Sequence, residues 1–206
     1  MNTSVFTRVF FVSIFLIFCS NTFAQELEDL SVKPLKTSRF GDEIRGVNAV
    51  SLGIGASIMN GDLANPLFDI YSHIGYKRLL GSSLALNFGY HKFNLAFEDV
   101  FNEGFMSFDV NLEWYLMPYQ TFTPFVFGGA GYHAANYFET TDTKIQGGIG
   151  FEYLVTERVG IKLFGDYNYL FSDETDGLIF GETNDAYWRV AFGLNIYFGQ
   201  FLKKNK

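Results

Sequence analysis

The stretch from Tyr187 to Phe198 alternates, residue by residue, between two incompatible surfaces. Side chains along a strand point to opposite faces with a period of two. Trp188, Val190, Phe192, Leu194, Ile196 and Phe198 therefore share one face, and Tyr187, Arg189, Ala191, Gly193, Asn195 and Tyr197 share the other. The first face is unbroken apolar surface. The second carries a guanidinium, an amide, two phenols and two very small residues, which is too polar for a sandwich core and suits a crowded, hydrated interior. Such a strand is inside out. No run after residue 24 reaches the ~18 apolar residues that a membrane helix needs, and open sheet edges are not tolerated in lipid. A chain that enters a membrane with this strand has to close into a barrel.

The same alternation begins at Val47 and recurs eight times, counting the closing stretch. Strand one, Val47 to Ile58, sets Val50, Leu52, Ile54, Ala56 and Ile58 against Ser51, Gly53, Gly55 and Ser57. Strand two, Phe68 to Leu79, sets Phe68, Ile70, Ile74 and Tyr76 against Asp69, Tyr71, His73, Gly75 and Lys77. Strand three, Ser83 to Phe93, sets Leu84, Leu86, Phe88 and Tyr90 against Ala85, Asn87, Gly89 and His91. Strand four, Phe105 to Met117, sets Met106, Phe108, Val110, Leu112, Trp114 and Leu116 against Ser107, Asp109, Asn111, Glu113 and Tyr115. Strand five, Phe122 to Ala135, has apolar or small residues on both faces between Phe125 and Gly131, so its register stays open; His133 is placed inward. Strand six, Thr143 to Leu154, sets Ile145, Ile149, Phe151 and Tyr153 against Lys144, Gln146, Gly148, Gly150 and Glu152. Strand seven, Val159 to Phe171, sets Val159, Ile161, Leu163, Tyr167, Tyr169 and Phe171 against Lys162, Asp166 and Asn168.

The connections alternate as well. Short turns near Gly81, Pro118 to Gln120 and Glu157 interleave with longer stretches at Asn60 to Leu67, Asn94 to Gly104, Asn136 to Asp142 and Ser172 to Asn184. Short periplasmic turns and long external loops are the habit of outer-membrane barrels. The long stretches hold Asp62, Glu98, Asp99, Glu103, Glu139, Asp142, Asp173, Glu174, Asp176 and Glu182 and no Lys or Arg, whereas Lys77, Arg78, Arg158, Lys203, Lys204 and Lys206 collect at the other end. The expected exterior rim is acidic. Outward aromatics fall into two girdles: Phe68, Tyr90, Tyr169, Phe171 and Trp188 toward the loops, and Tyr76, Trp114, Tyr153 and Phe198 toward the turns.

Residues 1–24 have the form of a signal peptide: Arg8 closes a short basic region, Val9 to Phe18 is apolar, and Thr22-Phe23-Ala24 offers small residues for cleavage before Gln25. Cys19, the one cysteine, leaves with it, so disulfides, thiolate catalysis and cysteine-ligated metals are excluded from the mature chain. Residues 25–45, polar and of mixed charge around Pro34, read as a periplasmic extension; the barrel is expected over 46–200 and a basic tail over 201–206. The formal charge of −7 and pI near 4.9 argue against a nucleic-acid partner.

The eight alternating segments, the run Thr123-Pro124-Phe125-Val126-Phe127-Gly128-Gly129-Ala130-Gly131, the closing Leu194-Asn195-Ile196-Tyr197-Phe198-Gly199 and Gly61-Asp62-Leu63 together resemble the small outer-membrane β-barrel family, the OmpA-like or porin-family transmembrane domain. The resemblance covers about Val47 to Gly199. It implies an all-β, eight-stranded antiparallel up-and-down transmembrane barrel in the outer membrane of a Gram-negative-type cell. It also implies insertion by the outer-membrane assembly machinery, which recognises a closing strand with terminal aromatics; here Gln200 to Lys206 follow Phe198 instead of the chain ending on it.

The inward faces would bring Asp69, Asp109, Glu113, Glu152 and Asp166 together with Lys77, Lys144, Lys162 and Arg189. An eight-stranded barrel is just wide enough for side chains, so these charges are expected to pair and plug the lumen, with Arg189 and Asn195 meeting partners on strands one and seven. His73, His91 and His133 are expected as lumen hydrogen-bonders rather than a metal site, and no cofactor is expected. An outer-membrane lipid hydrolase would need a nucleophile beside a base. The pattern offers only Ser72, on the face opposite His73, so the chain reads as a non-enzyme. The expected role is structural or surface-interacting, in contact with outer-membrane lipid. The alternatives are an accessory barrel with an envelope protein partner in an envelope or secretion assembly, and a lipid-modifying enzyme.

Overall fold

The computed structural model describes residues 43–60, 65–98, 101–138, 140–171 and 185–203. Eight long strands make one antiparallel sheet: β1 (Glu43–Asn60), β2 (Asp69–Leu79), β3 (Leu84–Phe97), β4 (Phe101–Tyr115), β5 (Phe122–Ala135), β6 (Thr141–Thr156), β7 (Val159–Leu170) and β8 (Ala186–Lys203). Each strand pairs with its neighbours in sequence, and β1 pairs with β8, so the sheet closes. Pro66–Leu67 continues the line of β2 against Phe97 and Ala96 of β3, past a one-residue slip in register. This is the up-and-down barrel that the alternation implies. Among the described residues each of the eight strands is paired on both sides along its central part, which is the condition for a sheet to sit in lipid. Among the described residues, no helix is long and apolar enough to cross a membrane.

The two faces separate as the period of two requires. Ile54, Phe68, Ile70, Ile149 and Phe192 stand outside and more than half exposed, while Tyr71, Lys77, Asp109, Glu152, Arg189 and Asn195 are buried inside. β5 resolves with Phe125 and His133 inward and Phe122 and Tyr132 outward. Only the continuous ladder to β4 and β6 decides this, through pairs such as Ser107 with His133 and Phe125 with Gly150.

Three boundaries differ from the sequence expectation by more than two residues. β1 starts at Glu43, so part of the expected extension 25–45 is barrel wall. β8 runs to Lys203, past the expected end of the barrel at 200. Gly199 and Gln200 together oppose Val47, and Gly199 has φ of 86°. A glycine in that region makes a bulge without steric cost, and the ladder resumes beyond it. The connection expected over Asn94 to Gly104 is instead a continuing hairpin, with Asn94 paired to Gly104 and Phe97 to Phe101. Buried Leu95 and Phe97 extend the inward row of Phe93, which is why the pairing persists. Glu103 and Asp142 accordingly stand on strands. The expected signal peptide 1–24, residues 25–42, the acidic stretch 172–184 and residues 204–206 lie outside the described residues, as do Asp62, Asp99 and Glu139.

Candidate functional site: the lumen

Side chains fill the lumen in layers. At the turn end, Arg45 donates from Nε to Glu152 Oε2 at 3.0 Å, from Nη1 to the Pro118 carbonyl at 2.8 Å and from Nη2 to Thr123 Oγ1 at 2.9 Å. Its guanidinium carbon lies 4.8 Å from the centre of the Tyr115 ring. Glu152 Oε1 accepts from Asn195 Nδ2 at 2.5 Å and from the Tyr197 hydroxyl at 2.6 Å. Beside this cluster Lys77 meets Glu113 at 2.5 Å and donates to the Tyr115 hydroxyl at 2.8 Å, while Asn87 donates to the other Glu113 oxygen at 2.6 Å. Both carboxylates are fully engaged. That is how a buried charge avoids the several kcal/mol of uncompensated desolvation.

Nearer the loop end, Arg189 binds Asp166 with two nitrogens, Nε to Oδ1 at 2.9 Å and Nη2 to Oδ2 at 2.7 Å. The same Nη2 reaches Asp109 Oδ2 at 2.9 Å, and Lys144 Nζ reaches that oxygen at 2.9 Å. Lys144 also donates to Asn168 Oδ1 at 2.6 Å, and Asn168 Nδ2 closes the circuit on Asp166 Oδ1 at 2.7 Å. Tyr71, Phe93 and Tyr187 surround the Arg189 guanidinium at 5.3, 5.9 and 5.7 Å. Above it, an aromatic plug closes the lumen: Phe93 packs on Tyr187 at 5.0 Å and Phe105 on His133 at 4.9 Å, with Leu95 and Leu170 buried alongside.

Between the two layers, Ser51 Oγ accepts from Lys162 Nζ at 2.6 Å and lies 3.3 Å from His73 Nε2. His73 stacks on His91 at 5.4 Å, and the Tyr71 hydroxyl lies 2.7 Å from His91 Nδ1. A cavity of about 20 Å³ remains here, against His73, Asn87, His91, Lys162 and Phe164. That is space on the scale of one water molecule, far too little for a solute to pass.

Eight of the nine expected lumen charges are buried inside, and seven of them make ion pairs: Lys77, Asp109, Glu113, Lys144, Glu152, Asp166 and Arg189. Lys162 is buried without a carboxylate within 4.0 Å among the described residues and uses Ser51 instead. Asp69 is only half buried near the loop end, where its Oδ1 accepts from the Ile70 N–H at 2.6 Å, so it stays outside the network. Its position at the strand's first residue lets the carboxylate cap its own backbone. Arg189 does find Asp166 on β7, but its second partner, Asp109, comes from β4; Asn195 turns to Glu152 on β6 rather than to β1 or β7. The alternating pattern does not identify Arg45 or Ser51 as partners. An arginine just before the first alternating segment is the one available signal for the former; Ser51 is correctly faced, but its contacts depend on the heights of neighbouring strands.

The nine expected girdle aromatics, Phe68, Tyr76, Tyr90, Trp114, Tyr153, Tyr169, Phe171, Trp188 and Phe198, all stand on the outward side. Tyr76 and Phe198 approach to 6.5 Å at the turn end. Tyr90 packs on Phe108 at 5.2 Å toward the loops.

A closed eight-stranded sheet, apolar outside and charged inside, is the fold of the small outer-membrane β-barrels. Neisserial surface protein A has this fold: its crystal structure superposes with a TM-score of 0.62 at 13% identity, over 73% of this chain and 97% of that one. The attachment invasion locus protein Ail of Yersinia pestis superposes with a TM-score of 0.50 at 14% identity, over 75% of this chain and all of the other. No protein-family model matches the chain, and no curated protein matches its sequence.

Proposed function

We propose that the protein is an outer-membrane barrel with a structural or surface-interaction role, exported with a signal peptide and inserted by the outer-membrane assembly machinery of a Gram-negative-type cell. The observation that carries this reading is a lumen that the described residues fill with two buried ion-pair layers and an aromatic plug, inside an apolar outer wall. A filled barrel offers partners only its wall and its two ends. The two tryptophans, Trp114 and Trp188, both face outward. Their fluorescence should be quenched by brominated lipid acyl chains after insertion, and cell fractionation should place the protein in the outer membrane. Recovery in the soluble fraction, or tryptophans that bromine does not quench, would overturn the reading.

An accessory role in an envelope or secretion assembly is the second reading, and capture of the intact barrel from native membranes with a stoichiometric partner would replace the first with it. The lipid-modifying alternative has its nucleophile-like hydroxyl in Ser51, beside His73 and Lys162. That hydroxyl is wholly buried. Turnover of phospholipid or lipid A by the purified protein would replace the structural reading with the enzymatic one.

A further inference from the structure

Among the strand residues whose side chains are described, two charged side chains belong to the outward face: Arg78, beside the turn that ends β2, and Lys92, on β3 toward the loop end. Lys92 is level with Met106, the outer limit of the apolar stripe that descends β4 through Phe108, Val110 and Leu112. Two residues lower on the same face, Tyr90, Phe108 and Tyr132 form an aromatic row across β3, β4 and β5. Two residues higher stands Asn94, paired with Gly104.

Around Lys92 the wall is notched and polar. Its Nζ donates to Asn136 Oδ1 at 2.8 Å, and the amide of Asn136 lies across β4 over Gly104. A Cβ at Gly104 would collide with the Asn136 amide nitrogen and stand 3.3 Å from Asn94 Oδ1, so the missing side chain is what brings the amides together. Ser72, opposite Lys92 on β2, donates to the Lys92 carbonyl at 3.4 Å. No carboxylate lies within 4.0 Å of Lys92 among the described residues, and Asn136 occupies one of three ammonium protons. An ammonium on a lipid-facing wall is costly without an anion, and such residues mark sites. A lysine just above an aromatic girdle extends toward the headgroups, where lipid phosphates supply that anion.

We propose that Lys92, Asn94 and Asn136 form a binding site for the phosphate of a membrane lipid in the leaflet at the loop end. The choice of leaflet rests on the outer-membrane reading; the phosphate chemistry does not. Lys92 supplies charge, the Asn136 amide N–H groups supply further donors, and Tyr90, Phe108 and Tyr132 pack the acyl chains below.

Native mass spectrometry of the purified protein in neutral detergent, titrated with bisphosphorylated lipid A, with its dephosphorylated form and with inorganic phosphate, tests the site. The phosphorylated lipid should bind in preference, and Lys92→Met should weaken it about tenfold or more, the scale of one lost charge-assisted contact. Lys92→Arg should retain binding, and Arg78→Met should leave it unchanged. Heat-dependent gel mobility should show Lys92→Met as folded as the parent, since methionine suits a lipid-facing wall. Equal affinity of Lys92→Met and parent, equal binding of the dephosphorylated lipid, or displacement by an equal concentration of inorganic phosphate would each overturn the proposal. Fractionation to another membrane would refute the outer-membrane reading alone.

Discussion

Arg189 and Asp109, 80 residues apart in sequence, meet across the barrel: β8 and β4 stand on opposite sides of the ring, and Nη2 of the arginine lies 2.9 Å from Oδ2 of the aspartate. Together with the two bonds to Asp166, this ties opposite walls through one side chain. Arg189→Met should therefore leave two buried carboxylates short of a partner and cost about 3–5 kcal/mol of stability. Urea unfolding in detergent measures it. Arg189→Lys should recover only part, because a point charge cannot keep the two-nitrogen grip on Asp166. An unchanged midpoint for Arg189→Met would show that the layer contributes nothing.

Arg45 closes the turn end, with three bonds to three different segments. Arg45→Ala is expected to destabilise the barrel by about 3 kcal/mol or more, since Glu152 would lose its one cationic partner within 4.0 Å among the described residues. Removing Glu152 as well, with Glu152→Gln, should return part of the loss. A double variant as unstable as the sum of the two singles would deny the coupling.

Glycines of one short run on β5 should differ sharply in tolerance. A Cβ at Gly131 would collide with Asp109 Oδ1 and come within 2.9 Å of Lys144 Cε, whereas at Gly128, on the outer face, it meets nothing nearer than the Gln146 carbonyl at 3.7 Å. Gly131→Ala should cost about 1–3 kcal/mol through overpacking of the charged layer. Gly128→Ala should be nearly neutral. Equal effects on the unfolding midpoint would refute the inward assignment of Gly131.

The filled lumen predicts electrical silence. Reconstituted in a planar bilayer, the barrel should show no stable open level, because the aromatic plug of Phe93, Phe105, His133 and Tyr187 and the ion-pair layers fill the described lumen, with a cavity of about 20 Å³ between the layers. Reproducible unitary steps from the purified protein would mean that the plug moves aside.

The division of surfaces is legible in the sequence, because it is a local property. A strand's side chains alternate whatever the strand pairs with, so Trp188, Val190 and Phe192 are outward and Arg189 and Asn195 inward from sequence alone. The even number of such segments, with the intolerance of lipid for a free edge, then implies a closed ring. Which charges meet is not legible. Beside the adjacent-strand pair of Arg189 with Asp166, partners inside a narrow barrel also come from strands that are not neighbours in the sheet, such as Asp109 for Arg189, and their heights depend on the register accumulated around the ring. That is why Asn195 finds Glu152, Lys162 finds Ser51 and Asp69 finds only its own backbone. Strand length escapes for a related reason: β1 extends back to Glu43 because β8 continues past the bulge at Gly199 to pair with it, and the alternating pattern stops short of both. The period of two decides the faces; closure of the ring decides the contacts.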